Sequence, residues 1–263
     1  LYCVALHYLI MSDRLCYFVA DVHLGLDYNS PIEREKKFVS FLNSLPNNTT
    51  DLFLLGDIFD FWYEYKDVIP NKFTRTLGAL ASVADRGIKI HFFNGNHDVW
   101  TYRYFQKEIG VIMHKQPSVI KINDSYFCLG HGDGLWDKSV GYSILKSIFN
   151  CRFLQKLFSA LHPRFAFLLG DKWSKHNRLV HTLTKEQYEK LKGEQMKKSV
   201  GWAADFQSKN KDTQIDYFIF GHTHTPLEAI NANGSKMFIL GDWIYHPDYI
   251  LFKEGELYRV NIE

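Results

Sequence analysis

Two carboxylates stand three residues apart in GDIFDFW (residues 56–62), Asp57 and Asp60, set among aromatic side chains directly after the apolar run Leu52-Phe53-Leu54-Leu55. Burying an ionised carboxylate is costly unless a cation or several donors compensate it. Four further polar clusters also end an apolar run: Asp21-Val22-His23, Asn94-Gly95-Asn96-His97-Asp98, Gly130-His131-Gly132-Asp133 and Gly221-His222-Thr223-His224. Together they offer carboxylates, imidazoles and an amide carbonyl, a donor set suited to Mn2+, Fe or Zn. Each is weak alone, since a DxH is commonplace and a lone His at a strand end is usually a hydrogen-bonded structural residue. Five in order, each at the end of an apolar run, form the pattern of a metal site.

The elements that would position these residues alternate from the start. LCYFVAD (15–21) reads as a strand ending on Asp21. Ser30-Pro31-Ile32-Glu33 matches a capping box with Pro at the first helical position, opening a helix to about Leu45. DLFLLGD (51–57) is a second strand, a helix from about Phe73 to Arg86 stops at Gly87, and IKIHFFNGNHD (88–98) is a third strand with a polar end. Apolar strands separated by helices predict a parallel sheet covered on both faces. In such sheets ligands bind at the carboxyl ends of the strands, so the five clusters are expected on one rim. Later, Asn123-Asp124-Ser125 reads as a hairpin turn, a mostly helical stretch runs to about Lys209, and DYFIFGHTH (216–224) is another strand. Hairpins are expected around Asn233-Gly234 and Glu254-Gly255.

A chain of 263 residues, 46% hydrophobic, can bury a large core, and one α/β domain with an insertion is expected. No apolar run reaches the roughly 20 residues that span a bilayer. LYCVALHYLI does not read as a secretory signal, and Met11 is read as the natural start, with residues 1–10 as upstream sequence or an appendage. Cys3, Cys16, Cys128 and Cys151 form no CxxC, so reduced thiols are expected. A net charge of +2 is too weak to argue for nucleic acid.

Charge is unevenly placed. Residues 138–181 hold eight Lys or Arg against one acid, a net +7 that leaves −5 for the rest of the chain. The same segment carries Ile144, Leu145, Ile148, Phe149, Phe153, Leu154, Leu157, Phe158, Phe165, Phe167, Leu168 and Trp173, more apolar surface than one side of two short helices needs. A basic, apolar cap suits an amphiphilic anionic ligand or a membrane face. The plainer alternative is helices packed on a core with a solvated basic face.

The order DVHLG, GDIFDFW, GNHD, GHGD, GHTH resembles the calcineurin-like metallophosphoesterases from Leu15 to the last hairpin. That resemblance implies a four-layer α/β/β/α sandwich holding two divalent metal ions. It implies that Asp21, His23 and His224 bind the first ion, that Asn96, His131 and His222 bind the second, and that Asp57 bridges both. Two ions about 3.5–4 Å apart can share a carboxylate and a hydroxide that attacks phosphorus in line. In the family, the His after the metal-binding Asn contacts the phosphoryl group or protonates the leaving oxygen, and an acid orients it. The catalytic pair expected here is therefore His97 with Asp60, the alternative for Asp60 being a helix cap after the second strand.

GDIFDFW with its tryptophan, GHGD followed by Gly141-Tyr142, a basic helical insertion and GHTHTP resemble the UDP-2,3-diacylglucosamine hydrolases of lipid A synthesis. EREKKFVSFL and FDFWYEYK are similar to their Bacteroidetes-type branch. The implied reaction splits the pyrophosphate to UMP and 2,3-diacylglucosamine 1-phosphate, with Mn2+ as the metal. The implied substrate contacts are Asn96, His97, Tyr142, Ser174, Arg178 and His222. Residues 11–263 would then be the metallophosphoesterase domain and 138–209 a helical cap within it. Expected partners are the nucleotide-diphosphate lipid and the inner-membrane surface, placing the chain in the cytoplasm at that membrane, with no nucleic acid and no protein partner inferred. Well-known members carry Arg where this chain has His97. Rival readings are hydrolysis of another nucleotide diphosphate or phosphodiester, a protein phosphatase (whose arginine-rich GD motif is missing), and a metal-binding scaffold without chemistry.

Overall fold

The computed structural model describes residues 14–136, 140–178 and 185–263, without the side chains of 171–178 and 185. Strands β1 (Leu15–Val19), β2 (Thr49–Leu54), β3 (Lys89–Phe93) and β4 (Ile112–His114) lie side by side and parallel. The period of two sorts their side chains onto two faces. Tyr17, Val19, Leu52, Leu54, Ile90 and Phe92 face helices α1 (Pro31–Ser44) and α2 (Thr74–Asp85), which supply Phe38, Phe41, Leu42, Leu80 and Val83. Cys16, Phe18, Phe53 and Phe93 face a second sheet instead.

That sheet runs in the order β5 (Ser118–Ile122), β6 (Ser125–Leu129), β7 (Tyr217–Phe220), β9 (Lys236–Ile239), β8 (Leu227–Ile230). Its inner face brings Phe127, Leu129, Ile219 and Phe238 to the interface, where Phe18 stacks on Phe53 at 4.8 Å and on Phe127 at 5.8 Å. Hairpin β10 (Asp248–Lys253) and β11 (Glu256–Asn261) completes the first sheet, antiparallel to β1. The outer face of the second sheet, at Phe218, Phe220 and Met237, is covered by Trp202, Ala203 and Phe206 of α6 (Lys185–Lys209). Helices, sheet, sheet and helix make the expected α/β/β/α sandwich.

Between β6 and β7 come α3 (Val140–Asn150), α4 (Arg152–Ser159) and α5 (Pro163–Arg178) before α6. The insertion expected over 138–209 therefore divides: α3 to α5 stand off the sandwich, while α6 belongs to its outer layer. The three outlying helices rest on an aromatic pedestal. Phe149 and Phe158 pack on Trp100 at 5.1 and 5.3 Å, Phe158 on Tyr63 at 4.9 Å, and Phe167 on Phe61 at 6.1 Å. Three donors from the pedestal reach backbone carbonyls of the insertion, namely Trp100 Nε1 to Phe149 at 3.0 Å, Tyr63 OH to Gln155 at 2.9 Å and Tyr65 OH to Leu161 at 3.2 Å. Ile144, Phe153, Leu157 and Phe165 point elsewhere and are 57–73% exposed. Among the described residues no helix is long and apolar enough to cross a membrane.

Two local expectations need correction. The capping box does not form: Ser30 is left-handed (φ 57°) and its side chain caps nothing. The helix entry is instead tied by buried Arg34, whose guanidinium donates to the carbonyls of His23, Leu26 and Tyr28 at 3.1, 2.7 and 3.0 Å. The strands also stop short of their polar ends, at Val19, Leu54, Phe93 and Phe220, and after β1, β2 and β7 the backbone turns left-handed within the clusters themselves. The hairpins at Asn233-Gly234 and Glu254-Gly255 fall where expected, though in different sheets. Residues 1–10, Cys3 among them, lie outside the described residues.

Candidate metal centre

Five loops, each leaving the carboxyl end of a strand, carry the site: those after β1, β2 and β3 from one sheet, and after β6 and β7 from the other. Asp21, His23, Asp57, His222 and His224 all have positive φ, between 49° and 73°. Such a conformation costs a non-glycine residue about 1–3 kcal/mol and persists only where its surroundings over-determine it. Here they do. Asp21 N donates to Gly56 O (3.1 Å), His23 N to Asp57 O (2.9 Å) and Trp243 N to Asp21 O (3.0 Å), so the loops brace one another. The Asp98 carboxylate sits beneath, accepting the backbone N–H of Ile58 at 2.9 Å and of Gly95 at 2.7 Å. Gly95 has to be glycine, because a Cβ there would overlap the Asp57 carboxylate.

These loops bring Asp21, His23, Asp57 and His224 together, with one ligand atom of each within 4.8 Å of the others. His224 Nε2 lies 3.2 Å from Asp21 Oδ1 and 3.1 Å from His23 Nε2. On the other side of Asp57, His131 Nε2 is 3.3 Å from Asp57 Oδ2 and 3.3 Å from Asn96 Oδ1, and the rings of His131 and His222 are centred 5.0 Å apart. Asp57 therefore lies between two groups of donors, 3.9 Å from His23 on one side and 3.3 Å from His131 on the other.

Do these residues fit metal ions? Asp21 Oδ1 is fully buried and has no hydrogen-bond partner among the described residues. Three imidazoles are held through Nδ1: His131 by the Leu55 carbonyl at 2.9 Å, His224 by Asp242 at 3.3 Å and His23 by Asp60 at 3.4 Å. A proton on Nδ1 turns Nε2 of each ring towards Asp21 and Asp57 as a donor atom, the arrangement that a hydrogen-bond acceptor behind the ring gives metal-binding histidines. Converging Nε2 atoms beside an unsatisfied buried carboxylate oxygen fit a cation.

The calcineurin-like phosphoesterase profile matches residues 16–226. This chain belongs to that family. It is a metal-dependent hydrolase. A UDP-2,3-diacylglucosamine hydrolase from Porphyromonas gingivalis is 30% identical, aligned over 94% of this chain and 97% of its own. Proteins of the same description from Hamiltonella defensa (32% identity, 80% of this chain and 76% of theirs) and Aeromonas salmonicida (28%, 91% and 90%) are also similar.

In this phosphoesterase, electrostatics follow from the packing. Burial alone would push the carboxyls of Asp21 and Asp57 up, but imidazoles, His224 beside Asp21 and His131 beside Asp57, hold both well below the usual carboxylate range. Burial would likewise push His131 and His224 down, and the carboxylates reverse it, raising His131 to about 10 through Asp57 and His224 to about 9 through Asp21. His222 goes the other way, to about 4, because burial and then the neighbouring His131 both disfavour its cation.

The His97–Asp60 pair is present but joined at a different atom from the one expected. His97 Nδ1 donates to the Asp60 backbone carbonyl at 2.8 Å, whereas the Asp60 carboxylate is 3.8 Å away and nearer to His23 Nδ1. No helix starts at Asp60, which removes the capping alternative. His97 N also donates to Asp57 Oδ1 at 2.9 Å, fixing the two loops together. Tyr142 sits at the rim with its ring 6.4 Å from His222, and its hydroxyl donates to Asp133 at 2.8 Å. The side chains of Ser174 and Arg178, and of Trp173 beside them, lie outside the described residues.

Three supporting carboxylates had no role in the sequence reading. Asp98 and Asp133 close the motifs GNHD and GHGD, so the signal stood inside stretches already singled out. Asp242 gave none, since only the folded loop between β9 and β10 brings it to His224.

Proposed function

We propose that this chain hydrolyses the pyrophosphate of UDP-2,3-diacylglucosamine to UMP and 2,3-diacylglucosamine 1-phosphate. Two divalent ions, Mn2+ by preference, would be held by Asp21, His23 and His224 on one side and Asn96, His131 and His222 on the other, with Asp57 between. The observation that carries the substrate choice is the insertion, whose exposed Ile144, Phe153, Leu157 and Phe165 belong to helices resting directly on the metal-binding loops. Similar proteins named for that substrate align over most of this chain and support the same reading.

When bound, the ions would supply an activated water for in-line attack and neutralise charge on the phosphoryl oxygens. His97, held at Nδ1 by the Asp60 carbonyl, would act through Nε2 on a phosphoryl or leaving oxygen, donating there in its protonated form. Asp60 uses its carboxylate to steady His23. The acyl chains would lie on the apolar face of α3 to α5, and the basic residues of the same segment would draw the protein to an anionic membrane surface on the cytoplasmic side.

The test is a substrate panel with Mn2+: UDP-2,3-diacylglucosamine, UDP-sugars, CDP-alcohols and ADP-ribose. The diacylated substrate should give the highest kcat/KM and release UMP. Preference for any other diphosphate would replace this reading.

A further inference from the structure

We infer that Asp133 is a positioning residue that locks the first helix of the insertion onto the His131 loop, and that this lock selects for substrates reaching the insertion. The second half of the inference rests on the proposed lipid substrate; the first does not.

Asp133 follows His131 by two residues and is 3% exposed. Its Oδ2 accepts the Tyr142 hydroxyl at 2.8 Å and Lys146 Nζ at 2.5 Å, and its backbone carbonyl accepts Lys146 Nζ again at 3.0 Å. Its Oδ1 accepts Gln116 Nε2, and Gln116 Oε1 in turn accepts His131 N at 2.6 Å. One buried carboxylate thus joins α3 to the loop bearing a metal-binding residue. Tyr142 and Lys146 are four residues apart, hence on one face of α3, which is the spacing needed to grip a single group. The turn leaves no slack: Gly134 has φ +71°, and a Cβ there would come 3.3 Å from the Tyr142 ring and 3.4 Å from Lys146 Nζ.

The far end of α3 is held separately, by Trp100 Nε1 on the Phe149 carbonyl, and Trp100 follows the GNHD loop. The helix is therefore pinned at its start to the loop of His131 and at its end to the loop of Asn96. Charge-assisted bonds to a buried carboxylate are the stronger kind. Releasing the Lys146 pin removes the charged half of this grip and should loosen the start of α3, where the Tyr142 hydroxyl still holds Asp133, while the metal-binding loops keep their own bracing. A substrate confined to the metals would not notice. One that extends along α3 would.

The test uses the full chain loaded with Mn2+ and two variants, Lys146→Met and Lys146→Arg. In Lys146→Met, amide hydrogen exchange in residues 140–146 should accelerate about tenfold, and KM for UDP-2,3-diacylglucosamine should rise about tenfold, as expected for losing one charge-assisted bond. Metal content, kcat and turnover of bis-p-nitrophenyl phosphate should stay within about twofold, and Lys146→Arg should restore exchange and KM. Unchanged exchange in α3 overturns the lock. Equal losses on both substrates overturn its selectivity role, since that is how loosened packing alone would act. If exchange accelerates but the wild-type protein ignores the diacylated substrate, the lock stands and the lipid reading falls.

Discussion

The rim of candidate metal ligands and the inserted helices sit against each other yet are built in opposite ways. On the rim, Asp21, His23, Asp57 and His131 are almost wholly buried, and each is held by backbone or side-chain partners from another loop. In α3 and α4 no residue is buried, and large apolar side chains face outward. Rigid, over-determined loops suit a reaction that needs fixed positions, whereas an open apolar surface suits a ligand that brings its own apolar area. On the proposed function, chemistry falls to the rim and selection to the insertion.

The largest effect should come from the residue between the two donor groups. Asp57→Ala should abolish activity and remove both ions, whereas His23→Ala should weaken one site more than the other. Elemental analysis finding two metals per chain in Asp57→Ala would break the rim account. His97→Ala comes next, lowering kcat by roughly 10²–10⁴, the range for a positioned acid or base, at near-normal metal content. Asp60→Asn should lower kcat less, because the carbonyl that holds His97 survives, and should loosen metal binding through His23. Loss of the metals from His97→Ala would instead make His97 a ligand.

A smaller effect sharpens the rim by pH. In chelator-stripped protein, His131 and His224 have folded pKa values of about 10 and 9, above the unfolded value of 6.5. Raised values stabilise the fold fully below about pH 6.5, and that contribution is lost as pH rises through 9 to 10. His222, lowered to about 4, stays neutral over this window and adds nothing. Metal ions need the deprotonated rings, so the gain in Tm on adding Mn2+ should grow between pH 6.5 and 9. A gain that is flat with pH would mean that these imidazoles are not ligands.

The sequence made the rim legible because its residues are packed into short motifs at strand ends, where topology leaves few places for them to go. DVHLG, GDIFDFW, GNHD, GHGD and GHTH each contribute as units, and the five loops meet as expected. Partners that act through the backbone were not legible. Nothing in Leu55 or Asp60 as residue types announces that their carbonyls hold His131 and His97. Arg34 was hidden for a similar reason, since its three carbonyl partners lie in a loop whose left-handed turn displaced the expected cap. In the insertion, composition gave the surplus of apolar side chains but not their sorting. Phe149, Phe158 and Phe167 pack on the pedestal while Phe153 and Phe165 do not, and helical phase against Trp100, Tyr63 and Phe61 decides which.

The division of labour is tested most directly by one ratio, kcat/KM on UDP-2,3-diacylglucosamine over kcat/KM on UDP-glucose, in wild type and in Phe153→Ser/Leu157→Ser/Phe165→Ser. All three side chains are 60–73% exposed, so their replacement should spare the fold. Each methylene buried is worth about 0.8 kcal/mol, so covering only a few carbons of acyl chain amounts to roughly a hundredfold in affinity. A large ratio is expected in the wild type, falling by about that factor in the variant through KM, with UDP-glucose turnover and metal content unchanged. A wild-type ratio near one, or equal losses on both substrates, would contradict it.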